Sequence, residues 1–468
     1  MKILLVAYDF PPIPSPQALR WAYLARELAR AGHQLQVIAP DVPGYGAGGL
    51  PVLPPCIQVH RVDPGKLSRL LFGRGRKNVA PQDSAGTIGA TLVTEPLLLA
   101  AGSAGSVVET LNWKGRLRRK LERSAGLNDG LNWKGRLAEK IKDMVSRHTF
   151  PDYRVEWVPH AIAKLEEVIL TQRPDVVVVS HEPACTLLVG LAAVERGLPL
   201  AADMGDPVLA AYTPLKWHGK ALALERAVCE AATLVTVTTD AAAKLLLQRH
   251  SGLTPERIAT ITQGFDPSFG AVQGDRLVEF DPERLELLYT GSFYSFRRAE
   301  ALFSAVMGTA GVRLSVATIK APDYLQKAAE QNPESIRIVG FLPHRAALEA
   351  QRRCDVLVNL ANADPVQVPG KVFEYLGAGR PLLHLRGAEQ DATGAVITQL
   401  QAGWDLAADE SAIVEALQQM LQLKKSAALY ERAADRASVA KYGWPALAQE
   451  WTGRLQGLLH PQSGRISP

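Results

Sequence analysis

Along most of this chain, apolar runs the length of one strand alternate with amphipathic segments the length of a helix. Residues 2–7 (KILLVA) are such a run, too short to span anything and apolar on both faces, as a strand buried in a parallel sheet is. A proline-rich loop, Phe10-Pro11-Pro12-Ile13-Pro14-Ser15-Pro16, precedes a helix expected over 17–31 with Leu19, Ala22, Tyr23 and Leu28 on its apolar stripe. Gly32-His33 stops it, and a second strand follows at 34–40. This βαβ order restricts the strands to parallel pairing with covering helices.

The pattern resumes near 155, with helices expected at 157–170, 185–196, 219–231 and 240–249. Strands are expected between and after them at 175–180, 199–203, 233–238 and 258–262. A second set begins with a strand at 285–289 and Gly291. It continues through helices at 298–308, 345–353, 371–378 and 410–424 and strands at 312–318, 336–339, 355–360 and 381–385. Asp266-Pro267 and Asp281-Pro282 mark turns in the joint at 265–284. A last helix near 445–459 lies beyond the second set. The domains are therefore 1–265, with an insert at about 66–150, then 266–440, then a C-terminal helix at 441–468 expected to return to the first domain.

At 468 residues the chain exceeds one ordinary core. Its 47% apolar and 21% charged residues are those of a globular enzyme, and a net charge of +5 does not by itself indicate nucleic acid. Cys56, Cys185, Cys229 and Cys354 are far apart, which fits a reducing cytosol better than a zinc site or disulfide frame. Met1-Lys2 runs directly into the first strand, so no secretory signal is expected, and no stretch reaches the roughly 18 apolar residues of a spanning helix.

The insert is compositionally different. Residues 83–108 are rich in Gly, Ala, Ser and Thr without periodicity, and read as a mobile loop. Leu-Asn-Trp-Lys-Gly-Arg-Leu occurs at 111–117 and again at 131–137, a local duplication. Residues 111–150 carry eleven Lys/Arg against four acids, more net charge than the whole chain. With Trp113 and Trp133 this fits either a solvated charged helix or peripheral contact with an anionic membrane.

The most informative segment is Pro369-Gly370-Lys371-Val372-Phe373-Glu374-Tyr375-Leu376-Gly377-Ala378-Gly379-Arg380-Pro381. It reads as a loop, a short helix ended by Gly377 and Gly379, and a strand begun by Pro381. Lys371 and Glu374 share one face at the helix start. There the first-turn amides lack intrahelical partners and suit an anion or sugar hydroxyls. A lysine can neutralise a phosphate and a carboxylate can accept from two ribose hydroxyls. The same spacing also fits a solvated ion pair.

Taken together, these segments resemble the retaining, nucleotide-sugar-dependent glycosyltransferases of family four, of the surface-polysaccharide type. The resemblance rests on five stretches in order. Asp9-Phe10-Pro11-Pro12, with Arg20 and Leu24-Ala25-Arg26-Glu27-Leu28-Ala29-Arg30-Ala31-Gly32-His33, is similar to the family's opening βα unit. Ile261-Thr262-Gln263-Gly264-Phe265-Asp266-Pro267-Ser268-Phe269 is similar to its interdomain signature, with Gln263 where Asn is usual. Tyr289-Thr290-Gly291-Ser292, then Gly340-Phe341-Leu342-Pro343 with Cys354-Asp355-Val356-Leu357-Val358, and finally Pro369–Pro381, supply the rest.

The resemblance implies an α/β GT-B fold, two doubly wound Rossmann-like domains facing a central cleft. It implies sugar transfer from a UDP- or GDP-sugar to the hydroxyl of a saccharide or lipid-linked acceptor, without metal or resident cofactor. It implies that Gly291, Ser292, Arg297, Arg298, Gly370 and Lys371 hold the diphosphate, Glu374 the ribose, and Gly340 and Phe341 the base. His181 of His181-Glu182-Pro183, at the carboxyl end of its strand, and Asp206 are the catalytic candidates; a surface His and a turn-capping Asp203 are the plainer readings there. A cytoplasmic location, or one at the inner face of a membrane, is expected.

Two departures stand out. The family's first-domain Gly-Gly loop here reads Ser15-Pro16, and proline has no amide to offer a phosphate. The family's first glutamate, eight residues before Glu374, is Val366, leaving donor-sugar recognition to Asp364, Gln367 or amides near 368–370. A catalytically silent GT-B subunit and a nucleotide-sugar 2-epimerase are the alternatives.

Overall fold

The computed structural model describes residues 1–13, 15–42, 50–72, 149–210, 213–268, 277–293, 299–362, 364, 367–389 and 391–459. Arg297, Arg298, Val366, both copies of the repeat and nearly all of the basic insert lie outside the described residues. All described residues belong to one compact unit.

The first sheet is built from β1 (Lys2–Val6), β2 (Gln34–Pro40), β3 (Gln58–Val62), β4 (Val176–His181), β5 (Leu200–Met204), β6 (Leu234–Val237) and β7 (Ile258–Thr260). All pairs are parallel, in the order β3-β2-β1-β4-β5-β6-β7. The helices on it are α1 (Pro16–Arg30), α2 (Lys66–Phe72), α3 (Val158–Gln172), α4 (Cys185–Glu195), α5 (His218–Ala231) and α6 (Asp240–Arg249). The second sheet comprises β8 (Leu285–Thr290), β9 (Val312–Ala317), β10 (Ile336–Ile338), β11 (Val356–Leu360), β12 (Leu382–Arg386) and β13 (Gly403–Ala407), ordered β10-β9-β8-β11-β12-β13 and again parallel. Its helices are α7 (Glu300–Gly308), α8 (Asp323–Gln331), α9 (His344–Arg353), α10 (Lys371–Ala378), α11 (Ala392–Gln399), α12 (Glu410–Lys425) and α13 (Arg436–Val439), and the last helix among the described residues is α14 (Trp444–Leu459).

Both sheets are covered on two faces, as the continuous apolar runs require. Strand order reverses between β1 and β4 and between β8 and β11, which opens a crevice at the carboxyl ends of each sheet. α14 packs on α1 in the first lobe. Trp451 meets Trp21 edge to face at 6.1 Å, Trp444 stacks on Tyr23 at 5.5 Å, and Leu447 and Leu455 join the same core.

The segment between the lobes is held tightly. Phe265 exchanges backbone hydrogen bonds with Tyr442 and Trp444 (3.1 and 3.0 Å), and Arg26 of α1 donates to Asp266 at 2.7 Å. Gly377 does not end α10, as its sequence position suggests. It lies inside the helix, where a Cβ would collide with the Phe265 ring; the stop is Gly379, in the left-handed region at φ +69°.

One buried ion pair fastens α1 to this frame. Arg20 (0% exposed) donates to both oxygens of Asp203 (1% exposed) at 2.9 and 2.8 Å. It also donates to the carbonyls of Thr262 (2.6 Å) and Ile261 (3.0 Å), just past β7. Asp203 accepts further from the Trp21 indole (2.9 Å) and the Thr236 hydroxyl (2.7 Å). Asp203 is thus neither a turn cap nor a reactive group: every interaction it makes is internal. Deleting one partner strands the other charge in the core. Arg20→Ala should therefore lower unfolding free energy by about 3–5 kcal/mol in a urea titration; a loss under 1 kcal/mol would contradict the anchoring role.

Candidate active site

The carboxyl ends of β8 and β9 open on a cavity of about 750 Å³, lined by Thr290, Gly291, Ser292, Ala317, Thr318, Ile319, Phe341, Leu342, His344, Ala347, Gln351, Lys371 and Glu374. One wall is the turn after β8. Gly291 sits at φ +133°, which only glycine adopts without strain, and its amide donates to Ala317 O at 3.0 Å. Gly291 therefore contributes shape, and no free amide, to the cavity. Tyr375 pins the turn from α10: its hydroxyl accepts from Thr290 N at 3.0 Å and pairs with Thr290 Oγ1 at 2.9 Å.

The adjoining wall is the start of α10. Lys371 Nζ donates to Thr290 O at 3.2 Å and lies 3.9 Å over the Tyr289 ring. It would be 3.5 Å from a Cβ at Gly291, so the cation stands directly against the glycine turn. Glu374, 15% exposed, is one helical turn along on the same face. His344 Nε2 is 3.8 Å from its carboxylate, and Gln351 hydrogen-bonds it. Burial pushes the Glu374 carboxyl above the usual glutamate range, against the opposing pull of His344, the Gln351 hydrogen bond and Lys371.

Phe341 (60% exposed) and Ile319 (77% exposed) present apolar surface at the cavity edge. Gly340 holds φ +83°, which sets the direction of the Phe341 loop. Gly370 lies behind the helix start, where a Cβ would come 3.3 Å from Cγ of Gln263 in the interlobe segment. Its close approach is to protein.

The first-lobe candidates do not line this cavity: His181 lines a separate one, and Asp206 lines neither. His181, 3% exposed, ends β4 and hydrogen-bonds the Asp206 backbone. Burial lowers its pKa, more than the neighbouring Asp206 carboxylate raises it, and Nδ1 has no hydrogen-bond partner. Asp206 reaches across the gap: its Oδ2 accepts from Nε2 of Gln367 at 2.7 Å, while Gln367 Oε1 accepts from Asn362 at 3.1 Å. One pair thus brings a catalytic candidate of one lobe against a donor-sugar candidate of the other. Asp364 is placed on the same loop.

A second cavity, about 400 Å³, opens beside His181 at the carboxyl ends of β1, β4 and β5, lined in part by Asp9, Asp152, Arg154 and Trp217. Sequence reasoning passed over Arg154 and Trp217, and His344 and Gln351 in the larger cavity. None sits in a spaced motif; only the fold brings them to the strand ends. Asp9 had a signal, a carboxylate just past β1 before Pro11-Pro12.

A carboxylate with a raised pKa destabilises the fold where it is ionised, that is, above that pKa. Glu374→Gln should therefore raise the melting temperature at neutral pH, and the gain should fade as pH falls through the raised Glu374 pKa. A gain unchanged down to pH 3 would contradict the assigned burial.

Residues 115–269, about a third of the chain, match the sequence profile of Glycosyltransferase Family 4. No curated protein sequence matches the chain. The structure is similar to sucrose-phosphate synthase from Thermosynechococcus elongatus, at TM-score 0.64 and 13% identity over 99% of this chain and 100% of that one. It is similar to HepE from Anabaena, solved in complex with UDP, at TM-score 0.60 and 12% identity over 98% and 100%. The UDP-GlcNAc 2-epimerase from Methanocaldococcus jannaschii matches at TM-score 0.52 and 12% identity over 97% and 99%. The two parallel, doubly wound lobes with their crevices at the strand ends have the GT-B fold of glycosyltransferase structures.

Proposed function

We propose that this protein is a glycosyltransferase that takes a sugar from a nucleoside diphosphate sugar and places it on an acceptor hydroxyl with retention of anomeric configuration. The observation that carries the reading is the larger cavity: in its wall a lysine stands against a glycine turn, with a carboxylate one helical turn away. Solved relatives of the fold hold UDP or UDP-glucose, in the HepE complexes.

In this reading the diphosphate lies between Ser292 and Lys371, at the positive end of the α10 dipole. Glu374 accepts from the ribose hydroxyls, with His344 beside it. The base lies along Phe341 and Ile319. As the glycosidic bond breaks, negative charge grows on the leaving phosphate oxygens. A cation and a helix dipole already in place favour that charged state over the bound substrate. Arg297 and Arg298 add to this charge, which removes the need for a metal. Gln367 and Asp364 meet the donor sugar, while His181 and Asp206 face it from the first lobe. A neutral, buried His181 can accept a hydrogen bond from a sugar hydroxyl without charging. Polysaccharide or glycoconjugate synthesis at the inner face of a membrane is the setting that the resemblance and the basic insert support.

Lys371→Ala deletes a phosphate charge and no nucleoside contact. It should weaken UDP about tenfold or more while leaving uridine within twofold, read by calorimetric titration, because a hydrogen bond to a charged group is worth about 1.5–3 kcal/mol. Equal losses for both would overturn the phosphate assignment. In thermal-shift assays, a nucleoside diphosphate at 100 times its Kd should stabilise by about 2.7 kcal/mol. Absence of any shift with UDP, GDP and ADP at millimolar concentration would favour a silent subunit. Interconversion of a UDP-sugar with its 2-epimer, without UDP release to an acceptor, would favour an epimerase.

A further inference from the structure

Charged groups surround Glu374 on several sides, and among the described residues one neighbour is of a type that changes charge near neutral pH. Lys371 precedes it by one turn of α10. Arg352 of α9 and Asp266 of the interlobe segment line a small pocket with it. Asp266 is already paired with Arg26; against burial, the hydrogen bonds from Arg26 and Ser268 hold it below the usual carboxylate range. From the first lobe, Tyr23 feels the charges of Glu374 and Arg345, and burial pushes its phenol well above the ordinary range. Lysine and arginine stay charged throughout. The remaining neighbour is His344, of the one side-chain type whose charge ordinarily changes between pH 5 and 8.

The geometry couples these two groups. His344 opens α9, and Gln351 lies two turns along the same face; both line the larger cavity with Glu374. Nε2 of His344 is buried, has no hydrogen-bond partner, and stands 3.8 Å from Glu374 Oε1. That spacing suits an ion pair and is too long for a hydrogen bond. A cation in the first turn of a helix is opposed by the helix dipole, so charge on His344 depends on an ionised Glu374. Burial opposes ionisation of Glu374, and among the groups that counter it His344 comes first. Each charge supports the other, and the two titrate as a pair.

The state of this pair matters to a ribose. A vicinal diol donates two hydrogen bonds. A carboxylate accepts both, whereas a carboxylic acid carries a proton on one of its oxygens and accepts less well there. We infer that His344 is a positioning residue for the donor site: as a cation it favours the Glu374 carboxylate, and so lowers the pH above which the site prefers ribonucleotides to their 2′,3′-dideoxy analogues. His344 itself touches neither phosphate nor sugar in this arrangement; it acts through Glu374. The ribose role of Glu374 rests on the transferase reading, whereas the pairing of His344 with Glu374 does not.

The test is calorimetric titration of the full chain with UDP and with 2′,3′-dideoxy-UDP between about pH 4.5 and 9. In the wild type, the ratio of the two affinities should rise about tenfold or more through one pH midpoint, as hydrogen bonds to a charged group require. His344→Leu should move that midpoint up by at least about half a pH unit, and His344→Lys, which keeps a cation, should move it back. UDP affinity at the alkaline end, where the carboxyl is ionised in each variant, reports that the variants are folded. A ratio that does not change with pH, or a midpoint that His344→Leu leaves in place, overturns the inference. Melting curves carry the test without nucleotide. The gain from Glu374→Gln should be larger, and level off at higher pH, in the His344→Leu background than in the wild type. An identical gain in both backgrounds overturns the pairing. A gain that differs as expected, while UDP fails to bind the wild type at any pH, upholds the pairing and contradicts the transferase reading instead.

Discussion

The bidentate pair between Arg20 and Asp203 is the constraint on which the rest of the first lobe is arranged. A buried carboxylate and guanidinium are tolerable only when nearly all their lone pairs and N–H groups are used, and here the indole of Trp21, the hydroxyl of Thr236 and two carbonyls past β7 add to the bidentate pair. Those partners come from α1, β5, β6 and the start of the interlobe segment. Fixing α1 fixes Tyr23 and Arg26, hence Trp444 and Asp266, and so the path by which the chain enters the second lobe and returns from it. Asp203 is three residues from Asp206, so the same anchor helps determine where the first lobe presents Asp206 to the second.

The second lobe solves a different problem. A diphosphate site needs cationic charge at a helix start and backbone that can approach closely. Tyr375 links the two requirements, since a single hydroxyl on α10 holds the Thr290 turn against which Lys371 stands. Gly377 serves the same arrangement from the other side by admitting Phe265, which lets α10 lie flush on the interlobe segment. The Asp206–Gln367 hydrogen bond then connects the two lobes directly, so the gap between them has polar side chains on both banks.

Much of this was legible in the sequence, because parallel sheets write themselves as continuous apolar runs. Every strand of the βα sets appeared within a residue or two of its place, apart from those whose burial is partial. β3 and β13 lie at sheet edges and are only partly buried, and α8 is a short amphipathic stretch, DYLQKAAEQ, flanked by no strong cap; all three escaped. Lys371 and Glu374 were legible because they share one helix face. What the sequence could not give was the function of individual neighbours. Asp203 looked like a turn residue because its partner, Arg20, lies 183 positions away. His344 and Gln351 meet Glu374 only through helix packing, and Arg154 and Trp217 meet His181 only at the strand ends. Gly370 and Gly377 read as ligand contact and helix stop, yet the close contacts they permit are to Gln263 and Phe265.

The account stands on one geometric claim, that a nucleoside diphosphate occupies the cavity between the Gly291 turn and the head of α10. A crystal structure of the chain with UDP tests it most directly. The account predicts diphosphate oxygens within hydrogen-bond reach, about 2.7–3.2 Å, of Lys371 Nζ and the Ser292 amide, with ribose hydroxyls on Glu374. A nucleotide bound elsewhere, with Lys371 still directed at Thr290 O, would contradict it.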